Sequence, residues 1–200
     1  EIVGAGRLLA PVQPAFVIEL APAPDLDPAL RERMCADAVA FARHIGYSCA
    51  GTVEFLYDCD TKEFYFMEMN TRLQVEHPIT EMITGQDLVE WQLRIASGER
   101  LPKLQHELSI NGHAIEARVY SEDPFSFLPG KGIIDYYKEP EDARIDSGIL
   151  KGSDVGIFYD PMISKLIVWG SDRRAAVQKI RKAISDYKIG GLVTNLPLLH

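Results

Sequence analysis

The sequence has no apolar run approaching the roughly 18 residues that a helix needs to span a bilayer, and no basic-then-apolar leader. Neither a membrane span nor a secretion signal is expected. Cysteine is scarce: Cys35, Cys49 and Cys59 are odd in number and show no CxxC spacing. That points to a reduced compartment rather than a disulfide scaffold. Positive charge is outweighed, leaving a net charge of −8, which argues against a general nucleic-acid binder or an anionic-membrane binder. Any site for an anionic substrate must then be a local basic pocket. Internal repeats and low-complexity tracts are absent. Gly130-Lys-Gly132 and Gly190-Gly191 lack the strand–loop–helix setting of a phosphate loop and read as plain turns. What remains is ordinary globular composition over 200 residues, enough for one or two compact domains. The chain opens on Glu1-Ile2-Val3 and stops at His200 just after an apolar stretch, so a fragment is expected.

Against these absences stands one dense segment. Residues 67–76 read Met-Glu-Met-Asn-Thr-Arg-Leu-Gln-Val-Glu, with Glu68, Asn70, Arg72, Gln74 and Glu76 at every second position. In an extended strand these five share a face, while Met67, Met69, Thr71, Leu73 and Val75 share the other. Upstream, Gly51–Tyr57 and Glu63–Met69 are rich in β-branched and aromatic residues around the turn Asp58-Cys-Asp-Thr-Lys62. A hairpin centred near Thr61 sets Glu54 opposite Glu68, with Cβ atoms about 5 Å apart, where like charges repel. Hard divalent cations that take oxygen ligands, Mg²⁺ or Mn²⁺, suit these two carboxylates plus the Asn70 carbonyl. The competing reading is a wet strand face whose glutamates point into water.

The remainder reads as α+β. Residues 1–24 are Gly-, Ala- and Pro-rich and form a loop or the start of a strand. Asp27-Pro28 is a cap and first-turn pair for a helix carrying Leu30, Met34, Ala38, Phe41 and Ile45 and ended by Gly46. His77-Pro78 breaks the polar-faced strand. A second helix covers about Asp87 to Ala96, and Leu101-Pro102-Lys103 is the expected domain boundary. Beyond it, Gly112–Tyr120 is a strand, others are expected at 133–137, 143–147, 155–159 and 162–169, and a last helix starts near Ser171-Asp172.

The string Glu68-Met-Asn-Thr-Arg-Leu-Gln-Val-Glu-His-Pro78 resembles biotin carboxylase, an ATP-grasp enzyme. Gly51-Thr-Val-Glu54, Thr80–Gly85, Gly112–Pro124, Tyr159-Asp-Pro-Met162 and Thr194-Asn195 extend the resemblance from about Ala21 to the end. It implies the C-terminal part of an ATP-grasp domain over 1–102 and an incomplete biotin carboxylase C-terminal domain over 103–200. By position, Glu54 and Glu68 resemble the carboxylates that hold Mg²⁺ against ATP, with Asn70 as their partner. Leu56 resembles part of the adenine wall. Arg72, Gln74, Val75 and Glu76 resemble the bicarbonate site, Glu76 being the base. Arg118 resembles the arginine that binds bicarbonate and stabilises the biotin enolate. The implied partners are a biotin carboxyl carrier domain, further copies of the chain, and a carboxyltransferase (β) subunit. The implied compartment is the mitochondrial matrix in a eukaryote or the cytoplasm in a bacterium. Asp87–Ala96 and Tyr159–Trp169 look most like the α subunits of acyl-CoA carboxylases, the methylcrotonyl-CoA type first and the propionyl-CoA type second.

Three departures qualify the resemblance. The family's basic run before Glu-x-Ala-Pro-Ala-Pro is missing, no Lys, Arg or His lying between Arg7 and Arg31. The upstream nucleotide-binding half of the ATP-grasp, with its Gly-rich lid, is missing too. No Met-Lys-Met biotin-attachment string occurs. Three alternatives therefore stand: a different ATP-grasp ligase of carbamoyl-phosphate type, an acetyl-CoA or pyruvate-type carboxylase, and an impaired scaffold subunit. Duller readings accompany single residues: a surface charge network for Arg72 and Glu76, a solvated pair for Glu116 and Arg118, a structural role for His77.

Overall fold

The computed structural model describes residues 17–200; the stretch in which the basic run is missing lies largely outside them, in residues 8–16. Asp27 caps the first helix, α1 (Pro28–His44), its carboxylate accepting the Leu30 amide at 3.0 Å. Two strands then form the expected hairpin, β2 (Thr52–Tyr57) and β3 (Phe64–Asn70), closed by Asp58, which accepts the Asp60 amide at 2.8 Å.

The hairpin's register carries a detail the sequence does not announce. Near the turn Tyr57 pairs with Phe64 and Phe55 with Phe66, a ladder that would set Glu54 against Met67. A bulge between Glu54 and Phe55 shifts the register by one residue and returns Glu54 to Glu68. The expected pairing therefore holds, through an irregular ladder.

The polar-faced strand ends sooner than expected. β3 stops at Asn70, and after an irregular stretch the chain enters a helix, α2 (His77–Thr84). Pro78 does more than end a strand: it occupies the first turn of α2, where its missing N–H costs nothing. Gly85 closes α2 in the left-handed conformation (φ 67°). Helix α3 (Leu88–Ala96) follows under its Asp87 cap, and a 3₁₀ turn (Gln105–Glu107) leads on to β4 (His113–Tyr120).

Of the later strands, the one expected at 133–137 divides into β5 (Gly132–Ile133) and β6 (Tyr136–Lys138). β7 (Arg144–Ser147) and β9 (Met162–Gly170) stand where expected, while 155–159 yields only the short β8 (Asp154–Val155). α4 (Arg173–Asp186), β10 (Lys188–Gly190) and α5 (Leu196–Leu199) complete the chain. Gly191 lies against β5 so closely that a Cβ there would overlap the Ile133 carbonyl oxygen.

Four strands form one antiparallel sheet in the order β1-β4-β9-β7, its edge strand β1 (Ile18–Ala21) supplied from the beginning of the described chain. α4 covers one face, packing Ala176, Ile180, Ala183 and Ile184 on Ile115, Ala117, Val119, Leu166 and Val168. α2 covers the other, with Ile79 and Ile83 on Ala21, Ala114 and Ile167. Covering both faces buries both parities of β4.

Candidate active site

Beyond its apolar end, the α2-covered face becomes charged. Cross-strand partners share a face, so Glu19, Glu116 and Ile167 lie in one row, and Arg118, Lys165 and Asp146 in the next. Arg118 donates to Glu76 at 3.0 Å and meets Glu19 at 2.7 Å. Burial works against the Arg118 charge, but Glu19, Tyr120 and Glu76 outweigh it and hold the guanidinium more firmly protonated than usual. Lys165 donates to the Val75 carbonyl at 3.0 Å and pairs with Asp146 at 3.3 Å. Arg144 grips Asp146 through two nitrogens and reaches Glu81 at 2.7 Å, while Glu81 also accepts the Leu88 amide at the start of α3.

The reading of Glu116 and Arg118 as a solvated surface pair is corrected here. Glu116 has no exposed surface, and Arg118 turns to Glu19 and Glu76 instead. Neither Glu116 carboxyl oxygen meets a hydrogen-bond partner among the described residues. Desolvation pushes this acid up to about 8; Lys165 and Arg118 pull it down, Glu19 and Glu76 add to the rise.

The second cluster sits at the end of the hairpin. Asn70 donates through its amide nitrogen to Glu54 at 2.9 Å and to Glu68 at 3.0 Å. Gln74 donates to the same Glu54 oxygen at 3.0 Å. Arg72 donates to Gln74 at 2.8 Å and to the Asn70 amide oxygen at 3.3 Å. Glu54, Asn70, Arg72 and Gln74 thus close a ring of hydrogen bonds. Two carboxylates sharing one N–H₂ group are near enough to share a cation, and their hard oxygens suit Mg²⁺ or Mn²⁺. Asn70, however, turns its nitrogen to the carboxylates; lending its oxygen to a metal requires the amide to turn over.

The structure brings together Glu54, Glu68, Asn70, Arg72 and Gln74 at the hairpin, and Val75, Glu76 and Arg118 at the sheet. Leu56 lies apart from these bonds, exposed on β2 opposite Tyr65. The mechanism of convergence differs from the single strand face that the spacing suggests: Arg72, Gln74 and Glu76 lie beyond β3, in the irregular stretch before α2. His77 keeps the structural part expected of it, its Nδ1 donating to the Gln74 carbonyl at 2.7 Å. Sequence reasoning misses Glu19 and Lys165, because their roles depend on strand neighbours distant in sequence. Their one local sign is that each is a charged residue inside an otherwise apolar strand pattern.

Residues 8–104 match the family of the carbamoyl-phosphate synthase L chain, ATP binding domain, and residues 116–200 match the biotin carboxylase C-terminal domain. The chain is 53% identical over 187 residues to the alpha subunit of the mitochondrial methylcrotonoyl-CoA carboxylase of Rattus norvegicus, a match covering 92% of this chain and 26% of that protein. It is 52% identical over 184 residues to a pyruvate carboxylase chain of Methanothermobacter thermautotrophicus, covering 90% of this chain and 37% of that one. The fold matches the biotin carboxylase domain of Hydrogenobacter thermophilus 2-oxoglutarate carboxylase, solved with MgADP, ADP and bicarbonate, at a TM-score of 0.88 and 45% identity over 92% of this chain and 41% of that one. The chain thus spans well under half the length of these relatives, and its two matched regions, the long string shared by hairpin and α2, and the α+β fold together make it a member of the biotin carboxylase family.

Proposed function

We propose that the polypeptide carrying this chain carboxylates a carrier-linked biotin, using ATP and bicarbonate through carboxyphosphate. The observation that carries this reading is the short chain path between the two clusters. Glu76, bonded to Arg118, lies two residues beyond Gln74, bonded to Glu54. One member of a carboxylate pair for a metal–nucleotide complex, Glu68, and one member of a carboxylate–guanidinium pair for an oxyanion, Glu76, therefore sit on one continuous segment. Their partners Glu54 and Arg118 reach it from β2 and β4.

In this reading Glu54 and Glu68 hold the divalent cation, with Asn70 beside them. The cation, when bound, offsets charge on the ATP phosphates. Glu76 takes the one remaining proton of bicarbonate, a weak nucleophile until deprotonated to carbonate. Arg72, Gln74 and the Val75 backbone bind and orient the resulting carbonate. Arg118 presents a planar fork to carbonate and then to the ureido oxygen of biotin as negative charge develops there. Leu56 contributes to the adenine wall. Residues 1–102 form the metal and bicarbonate part and 103–200 the C-terminal part, with β1 crossing over to complete the second part's sheet.

The acyl acceptor is methylcrotonyl-CoA in this proposal, supported by the rat relative, with pyruvate the nearest competitor because the archaeal relative is almost equally similar. The partners are a carrier domain, further copies of the chain, and a carboxyltransferase subunit. The compartment is the mitochondrial matrix in a eukaryote and the cytoplasm in a bacterium.

The test is bicarbonate-dependent ATP hydrolysis by the full-length polypeptide at varied Mg²⁺, with and without free biotin. Turnover stimulated by biotin, with carboxybiotin formed, is the expected result. A well-folded protein with no turnover would overturn the reading in favour of a scaffold subunit. In the same assay Glu68→Gln should raise the Mg²⁺ needed for half-maximal rate by about tenfold, which is about 1.4 kcal/mol of cation binding. An unchanged requirement removes Glu68 from the metal site.

A further inference from the structure

Thr194-Asn195 belongs to the shared sequence pattern, yet the chemistry above gives it no part. Its place in the fold does. β4 is paired with β1 only as far as Ala117, with the Arg118 amide still reaching the Val17 carbonyl at 2.9 Å. On its other side β4 slips register against β9 between Val119 and Tyr120. The β1 edge of β4 thus runs out of strand partner just past Arg118, and the β9 edge loses its regular register two residues later, at Tyr120; this end of β4 carries the guanidinium assigned to the oxyanion.

Asn195 fills that gap. Its amide nitrogen donates to the Arg118 carbonyl at 3.1 Å, its amide oxygen accepts the Tyr120 N–H at 2.9 Å, and its backbone N–H donates to the Tyr120 carbonyl at 3.1 Å. The side chain is buried, at 1% exposure. A carboxamide has the donor and acceptor of a peptide unit, so it can replace a strand neighbour bond for bond. α5 begins directly after Asn195, and the Leu198 and Leu199 amides donate to the Asn195 carbonyl at 2.9 and 3.2 Å, which anchors the clamp from behind.

We propose that Asn195 is the positioning residue for Arg118, its carboxamide fixing the backbone from which the guanidinium projects toward Glu76. This rests on the biotin carboxylase reading. Displacement of a reacting group by about 1 Å can cost on the order of 10²-fold in rate, so loosening this clamp should weaken the step that uses Arg118 more than the fold.

The experiment uses the full-length polypeptide and measures carboxybiotin formed per ATP hydrolysed, kcat and KM for biotin, and Tm. Asn195→Ala removes both side-chain bonds. Asn195→Asp keeps the acceptor for Tyr120 but turns an oxygen toward the Arg118 carbonyl; it carries the test if the alanine variant does not fold. Tyr187→Phe is the control: on the opposite face it loses hydroxyl contacts to Ser164 (2.8 Å) and Tyr137 (2.9 Å), loosening the sheet away from Arg118. Expected is a tenfold to hundredfold fall in kcat for carboxybiotin and a lower yield per ATP in both Asn195 variants, with the control's yield unchanged. An unchanged yield in the Asn195 variants, or an equal fall in the control, overturns the inference alone. A wild-type protein that forms no carboxybiotin overturns the functional reading and this inference together.

Discussion

The two faces of the four-stranded sheet are built on opposite principles. Under α4 the contact is Ile, Val, Leu and Ala against Ile and Ala, and its stability follows from apolar area removed from water. Under α2 an apolar patch of Ile79, Ile83 and Ala114 gives way to Glu19, Glu116, Arg118, Lys165 and Asp146. Burying charges is expensive even when they are paired, and a well-packed apolar core would often be as stable or more so. The α2 face therefore gives up stability that the α4 face supplies, and what it gains is a guanidinium held between two carboxylates. One sheet carries both because alternate residues of each strand point to opposite faces.

The sharpest way to break this division is Arg118→Ala. It should cut carboxybiotin formation by at least 10²–10³-fold while lowering bicarbonate-dependent ATP turnover far less, because Arg72, Gln74 and the Val75 backbone still hold carbonate; equal loss of both would sink its assigned role at biotin. The same change leaves Glu19 buried without its guanidinium, a destabilisation of about 3–5 kcal/mol by urea unfolding. On the other face, Ile180→Ala should cost about 2–5 kcal/mol with unchanged kinetics per folded molecule, and a kinetic loss there would blur the comparison.

Glu116→Gln sharpens it through pH. The folded chain retains a proton on Glu116 up to about pH 8, whereas the unfolded chain releases it near 4.5. Stability from that proton is complete below about 4.5 and is lost as pH rises through about 8, by up to about 1.4 kcal/mol per pH unit. Urea unfolding between about pH 5 and 8 should show a shallower decline in the Gln variant; identical slopes would mean the proton is not held. The smallest effect is expected from Asp172→Ala at the start of α4, where the Asp172 carboxylate accepts the Ala175 amide at 2.8 Å. About 1 kcal/mol should be lost, with activity unaltered.

Much of this is legible in the sequence because it is local. Asp27, Asp87 and Asp172 mark helix starts, and the alternation of polar residues marks the hairpin end. The opposition of Glu54 and Glu68 follows from the turn, but the bulge that restores it does not, since nothing in Glu54-Phe55 or Met67 requires one. The polar row past Asn70 reads as one strand because period 2 fits it; the first-turn preference of Pro78 overrides that pattern and folds the row into a turn and a helix. Glu116 reads as a wet residue because alternation usually means one wet face, an assumption that fails once helices cover both.

The clamp at Asn195 has a consequence in time. Arg118 meets Glu76 across 42 positions and Asn195 across 77, and Lys165 reaches Val75 across 90. Contacts of that span must meet their loop-closure cost before they return anything. The hairpin and the helices can gather early from near neighbours, but the guanidinium's setting exists only once distant strands have met, so a partly folded chain would already display its metal-binding end while still lacking an aligned Arg118.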